Sequence, residues 1–209
     1  MTNIAVLTDF DGTVTPQNVM DSLYTKFASP SVRSIMQRWI RGEISTMEEV
    51  EGVFETVTAT RQEMEAYLQK FDIDPGFKRL LALCRERDYP FAIVSDGLRW
   101  YIDYILALYS VGGIKVYASE IFFMDIGYRF EYPWLDPAYP LRGVAKPMIV
   151  KDYQSKGYQV VYVGDGLSDV EVAGIADILY AKDVLLEEAR ERGIEVREFR
   201  DLYDVYRDL

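Results

Sequence analysis

The chain has 209 residues with a formal charge of −11, from 34 acidic and 23 basic side chains, and 49% of its residues are hydrophobic. That length and apolar content support a full core and exclude disorder, and the acidity argues against nonspecific nucleic-acid binding, which needs a basic footprint. Histidine is absent and Cys84 is the single cysteine, so His-based triads, His-ligated zinc and intramolecular disulfides are excluded, and any metal must be held by oxygen ligands.

Ile4 to Thr8 is a short apolar, partly β-branched run of the kind found in a strand buried on both faces. It leads into Asp9, Phe10, Asp11, Gly12 and Thr13. In an extended chain Asp9 and Asp11 point the same way, about 7 Å apart at Cα, and Gly12 permits a sharp turn. Two acids aimed together repel unless a cation joins them or one stays protonated. Both conditions suit phosphoryl transfer, in which one carboxylate attacks phosphorus and the other handles a proton. A plain turn after a strand uses the same residue types.

The next strand-like stretch begins near Tyr89, and the residues between are patterned as helices. Val19, Met20, Leu23, Tyr24 and Phe27 recur at helical spacing. So do Ile35, Met36, Trp39 and Ile40, then Val50, Val53, Phe54 and Val57, then Met64, Tyr67, Leu68 and Phe71. Ser45 with Glu48, and Thr60 with Glu63, have capping-box spacing. Residues 15–74 are therefore expected to form a helical cap inserted after the first strand, with 1–14 and 75–209 forming the main body. Asp74 and Pro75 open a helix running to about Arg87, in which Cys84 is a core residue.

Pro90 to Val94 predicts a second buried strand, ending in Ser95, Asp96 and Gly97, with a helix from Leu98 to Tyr109. Lys115 to Ser119 and the alternating Glu120 to Tyr132 predict a strand and a hairpin, whose aromatics pack on their own sheet in the simpler reading. A loop broken by Pro133, Pro137, Pro140 and Gly143 then delivers Lys146 to a helix start. Gln159 to Val163 is a buried strand followed by the turn Gly164 to Asp169 and a helix over 168–173. Strand 178–181, helix 184–192, strand 195–199 and helix 202–207 complete the chain. The alternation predicts an α/β fold: a Rossmann-like parallel sheet with helices on both faces, plus the helical cap and a small β-hairpin.

Ligands of such sheets bind beyond the carboxyl ends of the strands, where Asp9, Ser95 and Asp165 each stand. Asp165 and Asp169 also suit a turn and a helix start, and Gly164 with Gly166 begins a dinucleotide fingerprint that Asp169 interrupts. Ser95 alone suits a helix cap, and Lys146 alone a surface lysine. Four carboxylates beside a phosphate nevertheless call for a cation and neutral donors.

The order DFDGT, VSDG, a lysine opening a helix, then GDGLSD resembles the haloacid dehalogenase superfamily over essentially the whole chain, and the cap is similar to that of its phosphoserine-phosphatase-like branch. Within the branch, 164–195 and 116–134 are similar to the methionine-salvage enol phosphatases, which act on a hydroxyketo-methylthiopentenyl phosphate. Asp96 stands where the branch has glycine, and 134–145 lacks cysteines associated with those enzymes. The resemblance implies a magnesium-dependent phosphomonoester phosphatase acting on a small phosphorylated metabolite through an aspartyl-phosphate. Asp9 would be nucleophile and Asp11 general acid/base. Thr13, Ser95, Asp96, Gly97 and Lys146 would bind phosphate, and Asp9, Asp11, Asp165 and Asp169 would bind Mg2+. Asn18 and Glu51 stand where phosphoserine phosphatases carry the glutamate and arginine that recognise their amino acid, which argues against phosphoserine as substrate; the cap is still expected to choose the substrate, with leaving-group contacts from Asn18, Met20, Arg33 and Arg38. A phosphotransferase or mutase, or a noncatalytic phosphate-ligand binder, are the alternatives on the same scaffold. The N-terminus shows no secretory signal and no segment is long and apolar enough for a membrane, so a cytoplasmic enzyme is expected, of unspecified oligomeric state.

Overall fold

The computed structural model describes residues 3–209, so the first two residues of the expected 1–14 segment lie outside the described residues. A seven-stranded sheet runs in the order β4-β3-β2-β1-β5-β6-β7. The strands are β1 (Ile4–Thr8), β2 (Phe91–Leu98), β3 (Lys115–Phe123), β4 (Tyr128–Glu131), β5 (Gln159–Gly164), β6 (Ile178–Ala181) and β7 (Arg197–Glu198). All neighbours pair in parallel except β3 and β4, which form the expected hairpin. The chain steps outward from β1 through β2 to β3, then returns to β5 on the other side of β1, so the strand order reverses at the centre, the place where open α/β sheets bind ligands. Register brings the strand ends together there: Thr8 pairs with Ile93 on one side and with Val163 on the other.

Four helices follow β1: α1 (Val19–Phe27), α2 (Val32–Ile40), α3 (Thr46–Phe54) and α4 (Arg61–Leu68). Both expected capping boxes form, with Ser45 and Thr60 accepting from the amides of Glu48 and Glu63 and receiving their carboxylates in return. Two apolar clusters flank the sheet. One joins Val6, Phe10 and Ile93 to Leu23, Tyr24, Phe54 and Met64 of α1–α4, so these helices share a continuous core with the sheet. The other, including Leu7, Val94, Val160 and Leu185, covers the opposite face. The Asp74 amide donates to the Val14 carbonyl at 2.7 Å, bringing the two ends of the 15–74 stretch together.

The remaining helices are α5 (Phe77–Glu86), α6 (Arg99–Leu108), α7 (Lys146–Ser155), α8 (Asp183–Glu191) and α9 (Leu202–Asp208). Among the described residues no helix is long and apolar enough to cross a membrane. Four local expectations change. The α5 helix starts at Phe77, and the Asp74 carboxylate instead accepts from the amides of Gly76 and Leu202, tying the segment ahead of α5 to the start of α9. β2 continues past Ser95 to Leu98 with a register shift against β3 after Val94. The helix expected over 168–173 is a single 3-10 turn, Leu167–Asp169, because the Asp169 carboxylate turns back to accept from the amides of Asp165 and Gly166. The hairpin aromatics pack on α3: the Phe54 ring lies 5.0 Å from Tyr128 and 5.4 Å from Phe130. Cys84 is fully buried in the core, as expected, and burial pushes its thiol up to about 12.

Candidate active site

Asp9 leaves the end of β1, and its amide donates to the Val163 carbonyl of β5 at 2.9 Å. The chain then coils tightly, with the amides of Thr13 and Thr15 both donating to the Phe10 carbonyl. Gly12 makes this possible with φ +79°, and a β-carbon there would overlap the Asp165 carboxylate. The coil separates the two acids that an extended chain would align. Asp9 faces Lys146, Asp165 and Asp169. Asp11 faces α1 and α6: its Oδ1 accepts from the amides of Val19 (2.6 Å) and Met20 (3.3 Å), and its Oδ2 from the Tyr101 hydroxyl. Burial raises the Asp11 carboxyl to about 6 against these hydrogen bonds, which favour the charged form.

Lys146 is 1% exposed at the start of α7. Its ammonium lies 2.7 Å from Asp169 Oδ1, 3.0 Å from Asp9 Oδ1 and 2.9 Å from Ser168 Oγ. Burial opposes its charge, but Asp169 and Asp9 outweigh burial and hold it protonated. Tyr162 also donates to Asp169 Oδ1 at 2.6 Å, and Thr13 donates to Asp165 Oδ1 at 2.6 Å. Gly164 gives Asp169 room, since a β-carbon there would stand 2.6 Å from Asp169 Oδ2.

Asp9, Asp165 and Asp169 each offer an oxygen within 4.8 Å of the other two. Burial, with Asp169 and Asp165 adding to it against Lys146, drives the Asp9 carboxyl well above the usual range, and burial beside Asp169 raises Asp165 to about 7. Asp9 Oδ1 is buried and, although near Lys146, has no hydrogen-bond partner. Three carboxylates with oxygens this close together against the single ammonium of Lys146 fit a hard divalent cation such as Mg2+.

Both Asp9 and Asp11 line a cavity of about 160 Å³ between the sheet and α1–α3, with Ser95, Asp96, Gly97 and Asp165 at the same end. Ser95 is buried, and its hydroxyl oxygen accepts from the Gly97 amide at 3.0 Å. Gly97 leaves space for the Tyr101 hydroxyl to reach Asp11. Asp96 directs its carboxylate sideways, Oδ1 accepting from the Val144 amide at 2.8 Å and Oδ2 from Thr46 Oγ at 3.4 Å, so its charge is spent joining the β2 end to the 144 loop and to α3.

Of the expected cap contacts, Asn18 and Met20 line the cavity, Asn18 also capping α1 by accepting from the Asp21 amide. Arg33 and Arg38 do not line it: both are exposed on α2, with Arg38 beside Glu43. The face of α2 that borders the cavity carries Met36, Trp39 and Ile40 instead. Two residues escaped sequence reasoning altogether. Tyr101 carries no motif. Glu49 interrupts the apolar stripe of α3 four positions before Val53, and that break was a readable signal.

The three-layer fold and a carboxylate–lysine cluster at the reversal of strand order define a Rossmann-like phosphatase of the haloacid dehalogenase type. Residues 6–174 match the family model described as haloacid dehalogenase-like hydrolase, and the chain belongs to that family. It is 30% identical over 207 residues to a 2-hydroxy-3-keto-5-methylthiopentenyl-1-phosphate phosphatase of Exiguobacterium sibiricum, covering 97% of this chain and 94% of the relative. It is 31% identical over 208 residues to the bifunctional enzyme MtnB/MtnX of Bacillus licheniformis, covering 98% of this chain but 48% of that longer protein. The fold is also that of a phosphoserine phosphatase solved as a phospho-aspartyl intermediate analogue, with a TM-score of 0.74 at 18% identity over the whole of both chains. A phosphoserine phosphatase from T. onnurineus gives a TM-score of 0.69 at 15% identity, covering 99% of this chain and 94% of that one.

Proposed function

We propose that this phosphatase is a magnesium-dependent phosphomonoesterase that hydrolyses a small phosphorylated metabolite through an aspartyl-phosphate on Asp9, in the cytoplasm, with residues 15–74 acting as the cap that closes over the substrate. The observation that carries the reading is the convergence of Asp9, Asp165, Asp169 and Lys146 at the carboxyl ends of β1 and β5. A binding module has no need of both Asp9 and Asp11 at the mouth of the cavity.

In the first half-reaction an Asp9 oxygen attacks phosphorus as the ester P–O bond breaks, and Asp11 gives its proton to the departing oxygen. In the second, Asp11 takes a proton from water as that water attacks the aspartyl-phosphate, which frees Asp9 and inorganic phosphate. A carboxyl raised to about 6 is suited to both directions of proton transfer near neutral pH. Lys146, Ser95 and the amides after it supply positive charge and donors for the phosphoryl oxygens. Asp9, Asp165, Asp169 and the Asp11 carbonyl would hold the magnesium ion, which neutralises charge between phosphate and carboxylates.

The curated relatives make 2-hydroxy-3-keto-5-methylthiopentenyl-1-phosphate the first ester to assay. Phosphate release from it and from a panel of small phosphomonoesters should require magnesium, stop with chelator, and fall roughly 10⁴-fold or more in Asp9→Asn while the circular dichroism spectrum is unchanged. Undiminished release by Asp9→Asn would overturn the mechanism. Release that depends on an added alcohol acceptor would make the protein a phosphotransferase.

A further inference from the structure

The sheet ends at β4, and among the described residues no strand pairs with its outer edge. In the hairpin Phe122 stands opposite Arg129 and Ile121 opposite Phe130, and at the turn the Met124 amide donates to the Gly127 carbonyl. Antiparallel pairs alternate between hydrogen-bonded and open ones, so with 124 and 127 bonded the pairs 122–129 and 120–131 are bonded as well. The amides and carbonyls of Tyr128 and Phe130 therefore point away from β3, toward the open edge. The side chains alternate too. Tyr128 and Phe130 turn onto Phe54 of α3, while Arg129 and Glu131 stand on the opposite face, half exposed.

Proteins commonly blunt an open edge with charge. Here the order of the charges favours one partner. A second copy of β4 laid antiparallel along this edge, with Phe130 opposite Phe130 across a two-fold axis, sets Arg129 of each copy against Glu131 of the other. A slip of two residues, which the backbone allows equally, puts arginine against arginine or glutamate against glutamate. In the matched register these residues form the open pairs, where side chains approach most closely. Arg129 and Glu131 already contact each other within one chain, so association exchanges each partner for an equivalent one. The same register carries the hairpin tip, where Met124 is 53% and Ile126 94% exposed, toward the other copy's chain after Pro133, where Leu135 is 50% exposed.

We propose that the chain forms a two-fold dimer by antiparallel pairing of β4 with β4, joining the two sheets into one, with Arg129 of each copy facing Glu131 of the other. Free backbone groups, charge order and the exposed apolar tip all meet in this one arrangement. No residue from 128 to 132 lines the cavity, so each copy keeps its own site and the dimer does not depend on the phosphatase reading.

The test is sedimentation equilibrium of the full chain at low salt, from about 1 to about 200 µM, a range that reports dissociation constants near micromolar. The wild type should approach twice the 24.1 kDa chain mass, and added salt should weaken it. Arg129→Glu alone, or Glu131→Arg alone, places like charges opposite one another and should weaken association about tenfold or more. An equimolar mixture of these two variants should dimerise as tightly as the wild type, because a strand with two glutamates then faces one with two arginines. A role confined to the pair within a chain cannot give that result, since each variant has lost that pair. Hydrogen exchange on the wild type locates the interface without any substitution: the amides of Tyr128 and Phe130 should be protected at high concentration and exchange freely on dilution. A wild type that stays at the chain mass throughout, variants that dimerise as tightly as the wild type, a mixture no tighter than either variant alone, or concentration-independent exchange at Tyr128 and Phe130 would each overturn the proposal.

Discussion

The Lys146 ammonium and the Asp169 carboxylate lie 2.7 Å apart with their side chains 1% and 0% exposed, a charge pair sealed inside the protein directly behind Asp9. Such a pair persists because each charge answers the other: removing one member leaves the partner desolvated and unpaired. Asp169 is further committed by bonds from Tyr162 and from the amides of Asp165 and Gly166, so it cannot swing to water.

Lys146→Met should therefore cost about 3–5 kcal/mol of stability in the metal-free protein at pH 7, measured by denaturant unfolding. Adding Asp169→Asn to that variant should recover part of the loss, because the orphaned charge is then gone. A loss well under 1 kcal/mol would show that the pair is not holding the two segments together.

Gly12→Ala tests the tight coil after β1. The substituted residue would have to keep φ near +79° and place its β-carbon in the Asp165 carboxylate. Left-handed backbone alone costs about 1–2 kcal/mol, and displacement of Asp165 should weaken magnesium binding as well. The expected result is a lower melting temperature together with a higher magnesium concentration for half-maximal phosphate release. Wild-type values of both would mean that the turn relaxes without moving Asp165.

The acid cluster also sets how stability responds to pH and metal. Asp9 and Asp165 have folded-state values raised above their unfolded ones, Asp165 to about 7. Between about pH 4 and that value the folded state holds more protons than the unfolded chain, so stability falls as pH rises through this window. A bound cation replaces those protons. Calorimetry should show a larger gain in melting temperature from magnesium at pH 8 than at pH 5, and at a hundred times its dissociation constant the ion should add about 2.7 kcal/mol. An equal gain at both pH values would count against these carboxylates as the site.

Much of the fold was legible because its signals are local. The apolar run before Asp9, the capping boxes at Ser45 and Thr60, and the strand–helix alternation after Lys146 each depend on neighbours within a few residues. The expected leaving-group contacts at Arg33 and Arg38 illustrate the opposite case. Periodicity marks Met36, Trp39 and Ile40 as one face of α2, but whether that face covers other helices or borders a cavity depends on what stands across from it. Asp96 likewise reads as a charge beside the phosphate loop until Val144, 48 residues away, and Thr46 are seen to hold it aside.

By itself, then, the sequence determined the chemistry: no histidine and one buried cysteine leave oxygen ligands and carboxylates to do the work, in an order that specifies the family. Only the tertiary structure decided where those carboxylates stand and what each one meets. Asp9 and Asp11 are two residues apart, yet one is set among Lys146, Asp165 and Asp169 while the other is fastened to α1 and Tyr101. The groups that separate them come from as far away as residue 169, and a carboxyl's charge and direction are fixed by the solvent it loses and the partners it meets, which no local pattern encodes.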